Sequence, residues 1–303
     1  MSERVSVRQA CHDDRDAVVA FTQETWSRVG DYIPRVFDEW VETDGPTQRT
    51  FVATVDDQPV GICQGVLLSD HEAWAQGMRV DPEFRGRNVS PKLTEAVFEW
   101  AADRGATVCR NMVFSWNAAG LGQSRSMGFT PCCEFRWVEP EADADATAET
   151  DTDFEVRTDA TAAWSAFHGS DAYRALSGLG LDLEESWALA EVTKARLEDA
   201  ETAFAITDGE RARAMTYRTR TLERENDDGE EETWAEYGVG AWTDDDAFRA
   251  LAAAVSRDAA EQGAEKARIL VPETPRHVSD AAYGRVSFSE EPDFVLERDL
   301  TRY

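Results

Sequence analysis

The stretch VDPEFRGRNVSPKL, Val80–Leu93, sets Arg85, Arg87 and Lys92 around Gly86, Asn88 and Pro91 between two apolar runs. Before it, WAQGMRV (Trp74–Val80) has strand character, and Asp81-Pro82 signals a turn. Ser90 reads as a helix N-cap and Pro91 as the first helical residue, where its missing N–H costs nothing. Leu93, Val97 and Trp100 follow at helical spacing, and Gly105 ends the run. The spacing therefore predicts a basic turn at a helix N-terminus, where unpaired N–H groups and the helix dipole favour an anion. Gly86 permits close backbone approach, and Asn88 takes a left-handed conformation at low cost. From Arg79 to Lys92 four positive residues stand against Asp81 and Glu83. A bound phosphate or pyrophosphate is one reading; a surface turn whose arginines pair with neighbouring carboxylates is the other.

The rest of the chain makes this turn unusual. Its 303 residues hold 60 Asp and Glu against 31 Lys and Arg, a formal net charge of −29. The acidic excess runs through both halves, as expected of a salt-adapted cytoplasmic protein; at about 1 M salt the Debye length is roughly 3 Å and self-repulsion is screened. The same charge argues against a nucleic-acid partner. No apolar run of membrane-spanning length and no signal-peptide segment are present, so a cytoplasmic location without membrane contact is expected. Cys11, Cys63, Cys109, Cys132 and Cys133 form no CxxC pair. Free thiols are expected, with no disulfide framework and no metal site.

Length and punctuation predict two domains. EPEADADATAETDTD, Glu139–Asp153, lacks bulky apolar residues and reads as a solvated linker over 140–153. Domains are expected at 1–139 and 154–303. The halves share an order of events: VSVR and FEVR, then helices, then strand-like TFVATVD and AFAITDG, then EAWAQGMRV and ETWAEYGVGAW, a long helix, and a further strand, TVCRNMVF or KARILVPE. This reads as two copies of one α+β unit. ERENDDGEEET, Glu223–Thr233, reads as a hairpin loop.

Arg85–Ser90, with the preceding MRVDPEFRG and the downstream RNMVFSWNAAGLGQSRSMGF, resembles the acyl-CoA pyrophosphate loop and following elements of the GNAT N-acetyltransferase superfamily. The likeness covers roughly residues 3–138, fades in the second half, and resembles that of tandem-domain members from halophilic archaea. It implies two GNAT-like domains, each a mixed, mostly antiparallel twisted sheet flanked by helices. It implies acetyl-CoA as co-substrate, held by Arg85, Gly86, Arg87, Asn88, Val89, Ser90 and Asn117. Backbone N–H groups around Met78 to Val80 would polarise the thioester. Asn88 and Ser90 stand where the family prefers small residues. Ser124 stands where many members carry a tyrosine acid, and a serine hydroxyl is a far weaker acid than a phenol.

Acetyl transfer to an amine also needs a base or a water chain leading to one. Glu72 is the first candidate, followed by His71 and Glu24. Among 60 acidic residues, a given Glu is by default a solvated surface group. Trp26, Trp40 and Trp116 read as core or cleft wall, and Cys132-Cys133 as an inert pair. In the second half Asp244, Asp245 and Asp246 replace the basic turn and would repel a pyrophosphate. The expectation is an N-acetyltransferase of EC class 2.3.1 with a degenerate second copy. It would act on a small-molecule or peptide amine, as a monomer or homodimer. The alternative is a non-catalytic acyl-CoA-binding protein of the same fold. No GxxxxGK[ST] loop is present, so a P-loop nucleotide enzyme is excluded.

Overall fold

The structure is a computed structural model that describes residues 4–23, 25, 30–225 and 231–303. The chain forms two compact units. The first comprises residues up to Val113, Asn117–Pro131 and Leu296–Tyr303; the second comprises Phe114–Trp116 and Cys132–Val295.

In the first unit the elements run β1 (Ser6–Gln9), α1 (Arg15–Thr22), α2 (Ile33–Thr43), β2 (Gln48–Val55), β3 (Gln58–Leu67), β4 (Glu72–Val80), α3 (Val89–Ala102), β5 (Val108–Phe114) and α4 (Ala118–Ser126). Strands β1 to β4 are consecutive antiparallel neighbours, and β5 joins β4 in parallel. Ile33, Phe37 and Trp40 recur at one-turn spacing on α2 and bury with Val18, Val52 and Ile62. Full burial of each such side chain stabilises by about 1.5–3 kcal/mol. The Asp31 carboxylate starts α2 by accepting from the Ile33 N–H at 3.0 Å. The opposite face of β3 carries α3, whose Val89, Leu93, Val97 and Trp100 lie over Gly61 and Gly65.

The second unit contains β6 (Thr130–Glu139), β7 (Glu155–Thr158), α5 (Ala160–His168), α6 (Asp171–Ala175), β8 (Leu179–Leu181), β9 (Leu189–Glu191), α7 (Lys194–Asp199), β10 (Thr202–Asp208), β11 (Arg211–Glu225), β12 (Glu231–Val239), β13 (Ala241–Trp242), α8 (Asp245–Glu261), β14 (Lys266–Pro272), α9 (Pro275–Tyr283), β15 (Ser287–Phe288) and the start of β16 (Asp293–Asp299). Its strands order as β6-β14-β12-β11-β10-β7, and β12 with β14 is the parallel pair. Phe248, Leu251 and Val255 of α8 bury against Tyr237, Ile269 and Val271. The expected hairpin pairs Glu225 with Glu231; its tip lies outside the described residues. Among the described residues no helix is long and apolar enough to cross a membrane.

The units do not follow the boundaries expected from sequence. β6, the last strand of the first half, pairs antiparallel with β14, from Ile269↔Val138 to Pro272↔Phe135. The chain's last residues instead belong to the first unit: the Leu300 N–H donates to the Thr107 carbonyl at 2.8 Å, and Tyr303 packs edge-on against Phe98. Backbone pairing, which local composition does not report, decides this exchange.

The linker is also not freely solvated. The Asp143 N–H donates to the Ser256 carbonyl at 3.1 Å, Arg257 donates to the Ala146 carbonyl, and Ala142 and Ala148 pack on the core under α8. Its alanines supply just enough apolar surface to dock.

Candidate functional site

The basic turn forms from local capping. Asp81 accepts from the Glu83 N–H at 2.9 Å and closes a 3-10 turn over Pro82–Phe84. Gly86 then adopts φ +74° and Asn88 φ +64°. Ser90 is not the N-cap: Asn88 is, in the left-handed region, and Val89, Ser90 and Pro91 form the first turn of α3. Pro91 remains harmless there, because the first four helical N–H groups have no intrahelical acceptor. The Asn88 side chain makes no capping bond. The α3 N-terminus therefore keeps its positive end open. It borders a cavity of 490 Å³ whose walls are residues 84–86 and 88–91 with Val80 on one side and Gly122, Gln123 and Ser126 of α4 on the other.

The arginines and the lysine divide into two groups. Arg79 is buried and bound to Asp31, with Nε to Oδ2 at 2.7 Å, and its guanidinium lies 5.3 Å from the Tyr32 ring centroid. Lys92 turns away to the Val5 carbonyl. Both serve the fold. Arg85 is exposed beside the cavity and carries no ion pair among the described residues. Arg87 lies over the Phe84 ring at 4.9 Å. Arg85 lines the cavity, whereas Arg87 does not and reaches it only through Phe84, which does.

Below the turn, the sheet opens. β4 and β5 pair only over Glu72↔Val108, Ala73↔Cys109 and Trp74↔Arg110. Beyond Trp74 they part, leaving a slot edged by residues 75–80 and 111–113. Two β4 residues, Gly77 and Met78, stand opposite the single residue Cys63 of β3, a bulge that re-aims the strand. Gly77 has φ +67°, and a Cβ there would lie 2.6 Å from the Trp40 ring, so conformation and contact both require glycine. Trp40 is thus core, as expected. Met78 and Val80 follow the bulge, and Val80 reaches the cavity.

Glu72 sits at the closed end of the slot. It is 1% exposed, accepts from Arg110 Nη1 at 2.7 Å, and accepts from the Ser69 hydroxyl at 3.0 Å. A buried carboxylate so engaged holds β4 to β5, and this geometry differs from that of a free base. His71 is exposed, with Nδ1 3.3 Å from Ser69 Oγ. Glu24 and Trp26 lie outside the described residues.

On α4, the Asn117 Oδ1 accepts from the Gly120 N–H at 2.9 Å, capping the helix and leaving its amide nitrogen for other partners. Ser124 is 1% exposed, and its hydroxyl accepts from Asn111 Nδ2 at 2.9 Å. A hydroxyl so enclosed is poorly placed to deliver a proton. Burial pushes the Cys63 thiol up to about 12 and raises Cys109 as well, so neither is a thiolate near neutrality. In the second unit Cys132 and Cys133 are reduced and of intermediate burial, and Trp116 stacks on Phe114 with centroids 5.2 Å apart.

Sequence reasoning missed two features. One is Arg110 as the partner of Glu72, which is a tertiary contact. The other is a pair of glutamines, Gln64 and Gln76, on the face of the sheet opposite α3. The signal for Gln64 was present, since it interrupts the apolar run of β3.

Residues 15–129 match the family model described as Acetyltransferase (GNAT) family. A thialysine N-epsilon-acetyltransferase from Bos taurus is 22% identical over 142 residues, 41% of this chain and 83% of that protein. Among solved structures, a GCN5-related N-acetyltransferase from Sphaerobacter thermophilus has a TM-score of 0.62 at 13% identity, over 98% of this chain and 96% of that one. The glucosamine N-acetyltransferase region of a fungal multi-domain GH3 beta-N-acetylglucosaminidase has a TM-score of 0.66 at 12% identity, over 98% of this chain and 38% of that one. At such identities the structural likeness carries the fold alone. The residues that match the acetyltransferase (GNAT) family model are those that form the open helix end, the cavity and the slot.

Proposed function

We propose that the chain is an acetyl-CoA-dependent N-acetyltransferase whose first unit binds the cofactor and transfers its acetyl group directly to an amine. The observation that carries this is the uncapped N-terminus of α3, set on a 490 Å³ cavity with Arg85 beside it. The pyrophosphate would accept from the backbone N–H groups of Val89 and Ser90, the Ser90 hydroxyl, Arg85 and Arg87, with Gly86 and Asn88 shaping the turn. Asn117 Nδ2 would meet the pantetheine arm, and an N–H near Met78–Val80 would polarise the thioester carbonyl. The arrangement fits acetyl-CoA: the cavity and the slot are adjacent, since Val80 borders both.

The acceptor must arrive neutral. An alkylamine near pKa 10.4 stands about 3 units above neutrality, a cost of about 4 kcal/mol. With Glu72 bound to Arg110 and Ser124 enclosed, solvent is assigned to take the ammonium proton and to supply one to the departing thiolate. By its name the bovine relative acetylates thialysine, so a small primary alkylamine is the first acceptor to test. The second unit is assigned no cofactor, and the acidic surface fits a salt-rich cytoplasm.

Calorimetric titration of acetyl-CoA in molar KCl tests the reading. Saturable binding is expected, and no heat up to millimolar cofactor would overturn it. The enclosed Ser124 favours one second reading, a non-catalytic acyl-CoA binder. Tight cofactor binding without thiol release across a broad amine panel would select that reading.

A further inference from the structure

In the second unit, the acidic segment that follows β6 lies across α8 as a strap. The Asp143 N–H donates to the Ser256 carbonyl at 3.1 Å, Arg257 Nη1 donates to the Ala146 carbonyl at 2.5 Å, and Arg249 Nη1 donates to the Glu149 carbonyl at 3.3 Å. The strap therefore runs antiparallel to the helix, from Ser256 back to Arg249. Between those two residues the helix rises about 10 Å, at about 1.5 Å per residue. Strap and helix do not close on each other. Ala146 and Ala148 face Ala252 and Ala253 across a cavity of 720 Å³, whose edge is formed by residues 283–287. That volume lies within the range of small-molecule sites, about 300–1,000 Å³.

Two polar groups in its wall lack protein partners. Ser256 is 8% exposed, yet its hydroxyl makes no hydrogen bond among the described residues. A serine inside a helix ordinarily turns its hydroxyl to water or to the carbonyl one turn earlier, and this one lines the cavity instead. The half-buried Glu139 carboxylate also has no hydrogen bond or ion pair among the described residues. Burial raises its pKa, even though Arg268, Arg224 and Lys266 act to lower it. Buried polar groups are ordinarily satisfied, so two orphans in one wall point to an occupant that donates hydrogen bonds.

The charge of the wall sets the sign of that occupant. Glu141, Asp143, Asp145 and Glu149 join Glu139 along the strap, against Arg249 and Arg285. Arg249 is committed to Asp245 and Asp246, and its guanidinium lies 4.7 Å from the Tyr283 ring centroid. The wall thus favours a cation. A hard metal ion requires oxygens converging to about 2.0–2.6 Å, which a wide space partly lined by alanine methyl groups does not supply. Ammonium groups on an aliphatic chain fit both parts of the wall. Their N–H groups meet the carboxylates spaced along the strap, and their methylenes lie on the alanines.

We propose that the cavity between the strap and α8 binds a linear aliphatic polyamine, its ammonium groups donating to the Glu139 carboxylate and the Ser256 hydroxyl. The site shares no residue with the cofactor cavity, and its occupancy does not depend on the acetyltransferase reading.

The test uses the full chain and calorimetry near neutral pH, where aliphatic amines are charged, with norspermidine, propylamine and magnesium chloride as probes. The buffer holds KCl at about 0.15 M, where contact pairs survive screening. Norspermidine is expected to bind saturably at one site, and propylamine about tenfold more weakly for want of further charged contacts. Magnesium at equal concentration is expected not to displace norspermidine. Glu139→Gln should weaken norspermidine about tenfold and Ser256→Ala about threefold. Ala253→Leu puts a larger side chain into the cavity and should abolish saturable binding with an unchanged circular dichroism spectrum. No saturable heat with norspermidine overturns the proposal. So does parental affinity in Glu139→Gln, a near-isosteric change, since that marks diffuse attraction to an acidic surface. Displacement by equal magnesium overturns it too, because that marks a metal site.

Discussion

The two long helices, α3 and α8, begin differently after similar strands. At α3 the cap residue Asn88 is left-handed and gives no side-chain bond, so the helix end stays open beside Arg85. At α8 the Asp244 carboxylate accepts from the Ala247 N–H at 2.9 Å and pairs with Arg213, while Asp245 and Asp246 pair with Arg249. An internal carboxylate already satisfies that dipole, and an external phosphate would meet it as a like charge. The strands differ in the same sense. β4 leaves β5 after three pairs, whereas β12 stays with β14 from Trp234↔Lys266 to Val239↔Leu270. One unit thus has an open helix end and an open slot, and the other has closed both. The order of elements is alike only in part, since the second unit adds β8, β9 and α7 before β10 and β13 before α8.

Both units do keep an ion pair across the parallel strands, Glu72–Arg110 and Glu236–Arg268. Breaking these is the largest effect expected. Arg110→Ala leaves Glu72 buried without its cation and should cost about 3–5 kcal/mol in a denaturant titration. Arg268 also lies 4.0 Å from the Trp137 ring and 4.7 Å from the Trp187 ring. Arg268→Ala should therefore cost more than Arg110→Ala, and equal losses would show that the stacking contributes nothing.

Next in size is cofactor affinity. Each of Arg85→Ala and Arg87→Ala removes a charged donor worth about 1.5–3 kcal/mol when bound to phosphate, so the acetyl-CoA Kd should rise at least tenfold. The comparison breaks if Arg249→Ala in the second unit weakens acetyl-CoA equally. Smaller again is the α8 cap: Asp244→Ala should cost about 1 kcal/mol of stability and leave acetyl-CoA binding unchanged. A gain of a second binding event would show that the carboxylate alone had closed that end.

The smallest net effect concerns pH. Burial, aided by Arg276, pushes His277 down to about 4. A depressed folded pKa stabilises above the unfolded value near 6.5, and that stabilisation is lost as pH falls toward 4. Burial pushes Asp293 up to about 7, opposed by Arg268 and Arg136. Its contribution runs the other way, favourable at low pH and lost as pH rises from about 4 to 7. The two largely cancel between pH 4 and 6.5. Comparing His277→Gln with the parent across that window should show the variant gaining relative stability as pH falls; a pH-independent difference would contradict the burial of His277.

Much of this was legible along the chain. The bulk of α3 and the basic turn follow from Asp81-Pro82, Gly86, Asn88 and the apolar spacing of Leu93, Val97 and Trp100, all local signals. The acidic start of α8 was equally plain. The cap was misplaced by two residues, because Ser90 and Asn88 both suit that position and only the left-handed backbone at Asn88 chooses between them. The roles of Arg79, Lys92 and Glu72 were not legible, since each is set by a partner distant in sequence: Asp31, Val5 and Arg110.

The sequence by itself determined which long helix starts with a basic turn and which with an acidic one, because charge, capping and backbone freedom act within a few residues. Only the tertiary structure decided that Arg85 lines the cavity while Arg79 is buried on Asp31, which carboxylate is locked and which unit holds each final strand. Those depend on strand pairing and buried hydrogen bonds between residues far apart in the chain, whose register no local pattern encodes.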